Sequence, residues 1–161
     1  MRSALRIFGL AALFGSIGVS GTQAQAQEIE DGEAIIATAL DYLEGWYEGN
    51  AERMARAVHT DLAKRIARPQ ADGCRELQHM GKETLVGYTE AKPAGEAVDL
   101  RDRIQILDVF GFAAVVRADA DDWVDYLQLA KIDGHWVIVN VLWELYPHAS
   151  PPGADRDCAP E

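Results

Sequence analysis

The sequence encodes an α+β domain: helices come first and a meander of antiparallel strands follows, so that the helices cover one face of a curved sheet. Three observations carry this. Residues 31–48 place Ile35, Ile36, Ala39, Leu40, Leu43, Trp46 and Tyr47 at three- and four-residue steps, the spacing of an amphipathic helix. Residues 121–145, DDWVDYLQLAKIDGHWVIVNVLWEL, set Asp133-Gly134 between two runs of alternating or β-branched side chains, the strongest short-range sign of a type I′ hairpin. Ahead of that hairpin, runs at 101–109 and 112–118 are separated by a turn near Phe110-Gly111.

From the start of the chain, Arg2 and Arg6 form a positive region, Ile7 to Val19 an apolar one and Ala24-Gln25-Ala26 a small-x-small cleavage site. Residues 1–26 therefore read as a cleaved export signal, and the protein is expected in a periplasm or outside the cell. The apolar run is too short for a membrane span, which needs roughly 20 residues. Asp31 is expected to cap the first helix, and Gly49 to end it in a left-handed conformation. Asn50 caps a shorter second helix that runs to about His59. Residues 62–69, basic at Lys64, Arg65 and Arg68, read as an extended connection or short strand ending at Pro69. A turn at 70–73, a short strand at 74–80, a third helix at 82–91 carrying Leu85, Val86 and Tyr88, and a loop at 92–96 follow. The folded domain spans 27–146, and 147–161, without periodicity and rich in Pro, Gly, Asp and Ser, form an irregular tail.

With 26 acidic against 15 basic side chains the formal net charge is −11, and removal of the leader, with its two arginines, makes it more negative. Such a chain is repelled by phosphate backbones and anionic bilayers, which argues against nucleic acid and membrane surfaces as partners. Cys74 and Cys158 are the two cysteines. In an oxidising compartment they are expected to form a disulfide, which by the chain-entropy model is worth ~4 kcal/mol for a loop of this length.

If Asp133 and Gly134 are the two loop residues, the hairpin sorts its side chains onto two faces. One takes Trp123, Asp125, Leu127, Leu129 and Lys131 opposite Glu144, Leu142, Asn140, Ile138 and Trp136. The other takes Val124, Tyr126, Gln128, Ala130 and Ile132 opposite Trp143, Val141, Val139, Val137 and His135. This second face is apolar enough that a second copy of the chain is expected to cover it, giving a homodimer, unless the C-terminal tail does so.

Three segments resemble a known family: residues 42–50 (YLEGWYEGN), residues 59–65 (HTDLAKR), and residues 125–129 (DYLQL) continuing through Gly134-His135-Trp136 to Trp143. In these the chain is similar to the nuclear transport factor two-like superfamily, which includes SnoaL-like cyclases, ketosteroid isomerases and scytalone dehydratases, and within it to the lumazine-binding family. The resemblance covers about residues 29–146 and implies a conical, cystatin-like α+β barrel open at one end, often dimeric through the outer face of the sheet. Asn50 and Thr60 depart from the family pattern, which has Asp and Pro at those places.

Candidate chemistry centres on Asp125 and Asn140, which in such a cone share the inner face with Trp136. A carboxylate in an apolar cavity becomes a usable general acid or base near neutral pH, and a carboxamide beside it can donate to a developing oxyanion. The alternative is a solvated Asp125 at the rim and an Asn140 that satisfies backbone groups. His59, near Asp61, either moves protons at the mouth of the cone or partners the carbonyl end of its helix. Tyr42, Trp46 and Tyr88 either wall a pocket for a flat ligand or are plain core. No phosphate loop, nucleophile elbow or metal-ligand spacing is present, so neither metal nor cofactor is expected. Three functions fit: an exported small-molecule-binding domain with an apolar conical pocket, a cofactor-independent isomerase, dehydratase or cyclase using Asp125 or His59 for proton transfer, and a non-catalytic interaction module.

Overall fold

In the computed structural model, which describes residues 20–70 and 74–151, a curved sheet wraps around one long helix. The elements in order are α1 (Ser20–Glu48), α2 (Ala51–Ala57), β1 (Val58–Pro69), β2 (Arg75–Met80), α3 (Lys82–Glu90), a 3-10 turn (Arg101–Arg103), β3 (Ile104–Phe110), β4 (Ala113–Asp119), β5 (Trp123–Ile132) and β6 (His135–Leu145). The strands lie in the order β2-β1-β6-β5-β4-β3. The last four form the expected antiparallel meander, and β1 returns beside β6 in parallel, bringing β2 to the sheet edge. The core is where α1 meets the concave face: Ile35, Ala39 and Leu43 pack with Met54 of α2, Leu85 of α3, and Val116, Leu127, Leu129, Ile138 and Val141 of the sheet.

Helix α1 begins ahead of Asp31, which is therefore not its cap. Its carboxylate instead takes Lys131 Nζ at 2.5 Å and the Trp136 indole N–H at 3.0 Å, tying the helix to the tip of the hairpin. Gly49 ends α1 at φ +65°, where a Cβ would lie 2.9 Å from the Pro93 carbonyl oxygen, so only glycine fits. Asn50 caps α2 by accepting the Arg53 backbone N–H at 3.1 Å. Helix α2 stops at Ala57, two residues before His59. Residues 1–19 of the expected leader and Cys158, one end of the expected disulfide, lie outside the described residues.

The hairpin departs from uniform two-residue pairing at one place. Near the turn Lys131 faces Trp136 and Leu129 faces Ile138, as the Asp-Gly loop dictates; beyond that, Gln128 faces Asn140 and Asp125 faces Trp143. Val139 is the extra residue, a β-bulge that shifts every later side chain of β6 by one position. Two expectations are corrected by it. Asn140 lies on the outer face with Arg65, Tyr126, Gln128 and Leu142, not in the cone beside Asp125. Val141 and Trp143 turn inward, which removes two of the apolar side chains expected on the dimer face and puts Leu142 and Glu144 in their place.

Candidate functional site

Strand β1 alternates Leu62, Lys64 and Ile66 toward the helices, and all three are buried. A lysine in that row must bring its charge into the core. Its answer is Asp125, fully buried on β5: Lys64 Nζ donates to Asp125 Oδ1 and, at 2.6 Å, to the hydroxyl of Tyr42 on α1. The second carboxylate oxygen, Oδ2, accepts the Trp123 indole N–H at 2.7 Å. Thus one helix and two strands that are distant in sequence converge on a single ion pair in which both carboxylate oxygens are hydrogen-bonded, which helps a buried pair to be tolerated.

Electrostatics follow from burial. Desolvation pushes the Lys64 ammonium below the usual lysine range, with the Asp125 charge opposing the shift. Tyr42 is held well above the usual phenol range, first by desolvation and then by the neighbouring Asp125 charge, so its hydroxyl keeps its proton. The Lys64 ammonium lies 4.8 Å from the centre of the Trp143 ring and 5.4 Å from that of Tyr42, within cation–π range.

Lys64 faces a cavity of about 120 Å³ walled by Tyr42, Trp46, Met54, Leu85, Trp123 and Trp143. That is room for one aromatic ring. Trp123 braces the wall, edge-on to Trp46 and Trp143 with centroids 6.1 and 6.5 Å apart, and stacked on Tyr47 at 6.3 Å. Lys64, Met80, Tyr88 and Trp143 also line a neighbouring groove of about 420 Å³ over β1 and β2.

Of the residues selected from sequence, Asp125, Tyr42, Trp46 and Tyr88 are therefore brought together, Tyr88 at the exposed mouth. Trp136 is buried at the far end of the hairpin on Asp31, away from the cavity walls. His59 sits in an irregular stretch of β1 where pairing to β6 jumps from Val58 to Ala63; its Nδ1 accepts the Asp61 backbone N–H at 3.1 Å, and it does not line the cavity. Lys64 is the residue that sequence reading passes over, because 62–69 looks like a basic connection. The signal was present in its parity with Leu62 and Ile66, which marks the inner side of a strand. Among the described residues no group of three or more His, Cys, Asp or Glu gathers as a metal site would, and no helix is long and apolar enough to cross a membrane.

Comparison with known proteins places this geometry. A nuclear-transport-factor-2-like protein of unknown function from Shewanella baltica OS155 superposes with a TM-score of 0.60 at 23% identity, covering 74% of this chain and 96% of that one. One with a cystatin-like fold from Novosphingobium aromaticivorans gives 0.57 at 13% identity, covering 83% and 93%. The fold is thus that of the nuclear transport factor 2-like superfamily. Residues 30–144 match the family described as "Putative lumazine-binding", and the chain belongs to that family. Among curated proteins, the aldolase FrzH of a Cladobotryum species is 26% identical over 121 residues, which cover 71% of this chain and 91% of that protein.

Proposed function

We propose that the cone binds a small molecule with a flat apolar body against Trp46, Trp123 and Trp143 and an acceptor oxygen, such as a carbonyl, on Lys64 Nζ. The observation that carries this is a buried ammonium at the junction of an apolar cavity and an open groove. Two of its three N–H groups go to Tyr42 and Asp125, and the third has no oxygen or nitrogen partner among the described residues. A few convergent polar groups in an otherwise apolar pocket are what a ligand site needs. The test is native mass spectrometry of the purified protein followed by titration of tryptophan fluorescence with the copurifying compound. Lys64→Met, paired with Asp125→Leu to keep the core neutral, is expected to lose that compound, and retention of full affinity would sink the reading.

A second reading is that the bound compound reacts. It is supported by the aldolase-named relative and by Asp125, a carboxylate placed beside the group that would hold a carbonyl. With Lys64 donating to the carbonyl oxygen, the enolate that develops as the adjacent carbon gives its proton to solvent is stabilised by the ammonium, which Asp125 holds in place. Solvent-deuterium exchange into a panel of ketones, followed by mass spectrometry, tests it: exchange accelerated by the protein and abolished by Asp125→Asn supports an enzyme, and no acceleration leaves a binding protein.

Export and a Cys74–Cys158 bridge belong to the same reading, supported by the leader-like residues 1–26. Two titratable thiols in the unfolded, unreduced exported protein would contradict the bridge. A homodimer on the outer face is supported by the exposed Leu142 and Tyr126 there, and sedimentation of Leu142→Glu against the unaltered protein checks it.

A further inference from the structure

The groove outside the cone carries a charged group that the ion pair at Lys64 does not use. Arg68 lies four residues beyond Lys64 on the same face of β1, and across β2 the partners of Lys64, Ile66 and Arg68 are Met80, Gln78 and Glu76. The Arg68 guanidinium lies 5.9 Å from the centre of the Trp143 ring, the same ring that Lys64 approaches from inside. Its Nε is buried and has no hydrogen-bond partner among the described residues. Glu76, the acid directly opposite, accepts instead from Gln70 Nε2 at 3.3 Å, and no carboxylate among the described residues lies within ion-pair distance of Arg68. An arginine N–H removed from water and left unmatched is costly, and it is retained most simply where something else completes it.

We propose that the groove is the anion-binding arm of the ligand site, in which Arg68 receives a carboxylate carried by the molecule whose apolar head fills the cone. This rests on the reading of the cone as a ligand site and adds the class of ligand: an elongated amphiphile, apolar at one end and carboxylate at the other. Adjacency supplies the path, because Lys64, Met80, Tyr88 and Trp143 line both the cavity and the groove. Geometry supplies the length, since the Lys64 ammonium and the Arg68 guanidinium lie 4.8 and 5.9 Å from the centre of one ring, that of Trp143, and so are no more than about 11 Å apart. Chemistry selects the end group: a planar guanidinium with no acid in ion-pair distance matches a carboxylate through N–H···O bonds, and the Trp143 ring lies within cation–π range of it. Glu76 is the competing charge in the groove. It disfavours a dianion more than a monoanion, which is why a carboxylate is assigned rather than a phosphate.

The experiment uses 8-oxo-8-phenyloctanoate, whose ketone supplies the acceptor for Lys64, and its neutral counterpart 8-oxo-8-phenyloctanamide, titrated against the full chain by isothermal calorimetry. The acid is expected to bind at least tenfold more tightly than the amide. Arg68→Gln is expected to erase that preference, with Arg68→Lys retaining part of it; thermal melts of both variants confirm that they fold. Equal binding of acid and amide by the unaltered protein, with both entering the cone, overturns the anion arm and leaves the cone reading standing. A preference that survives Arg68→Gln also overturns it. Failure of both probes to bind overturns the arm together with the cone reading on which it rests.

Discussion

Helix α1 holds two ionic clusters made from the same ingredients in opposite surroundings. On one side Asp41, Glu44 and Glu48 converge on Arg53 of α2 at 3.0, 2.5 and 2.9 Å. On the other, Tyr42 meets Lys64 and Asp125 over the cavity. Burial works against the Arg53 charge, but three carboxylates outweigh it and hold the guanidinium above its ordinary range. At Lys64 the balance is reversed, because one carboxylate does not offset the desolvation. A charge surrounded by excess counter-charge rivets two helices together. A charge supported by a single partner beside an open cavity is one that a ligand can still engage.

The largest expected effect separates the two directly. Lys64→Ala leaves Asp125 buried without its cation and is expected to cost about 3–5 kcal/mol in urea unfolding. Lys64→Met combined with Asp125→Leu, which removes both charges, is expected to recover most of that stability. A cost under about 1 kcal/mol for the single variant would mean that water reaches Asp125. Arg53→Met comes next, at roughly 2–3 kcal/mol, because hydrogen bonds to charged groups are lost and Glu44 is left half-satisfied, with only the Leu100 backbone N–H at 3.0 Å. Ligand affinity measured under folding conditions is expected to be unchanged in Arg53→Met; a parallel loss would show that the two clusters are coupled.

The difference between the clusters also marks how far the sequence could be read. Helix α1 and the hairpin were legible because their periods, near four and two, run over many residues, and the position of Asp125 on the inner face followed from Asp133-Gly134 alone. Asn140 was misplaced because no side chain advertises a bulge at Val139: Val137, Val139 and Val141 look like one alternating row, yet the chain changes face between the last two. Lys64 was passed over because its charge masked the strand parity that it shares with Leu62 and Ile66, and its partner lies 61 residues away in the chain. Buried ion pairs join residues through tertiary packing, and local pattern carries little trace of them. Asp31 shows the same limit from the other direction. An acidic residue at the start of an apolar period reads as a cap, whereas its partners Lys131 and Trp136 come from the other end of the fold.

Asp31 provides a third point on the scale. The Lys131 ammonium, and after it the Trp136 indole N–H, hold its carboxyl below the usual range. A carboxylate with a depressed pKa in the folded state contributes stability that is present above its unfolded pKa, near 4, and is lost as pH falls through the folded value. Asp31→Asn is therefore expected to flatten the acid end of a melting-temperature profile below about pH 4. An unchanged acid slope would mean that the lock between helix and hairpin tip does not form in solution.

The smallest effect belongs to the most exposed pair. Arg101 Nη2 donates to both oxygens of Glu33 on α1, at 2.9 and 2.7 Å, distances that on paper match those of the Arg53 contacts. The side chains are 52% and 62% exposed, against 21% for Arg53. Water and salt then screen most of the attraction, and the entropy of fixing two long side chains opposes the remainder. Glu33→Gln is expected to change stability by no more than about 0.5 kcal/mol, and that difference is expected to disappear in 1 M salt, where the screening length is roughly 3 Å. The same salt series on Lys64→Ala is expected to leave its cost unchanged, because the ions that screen Glu33 do not reach Asp125. If salt diminished both alike, burial would not be what distinguishes the ion pairs along α1, and the assignment of Lys64 as the cation facing the ligand would lose its physical basis.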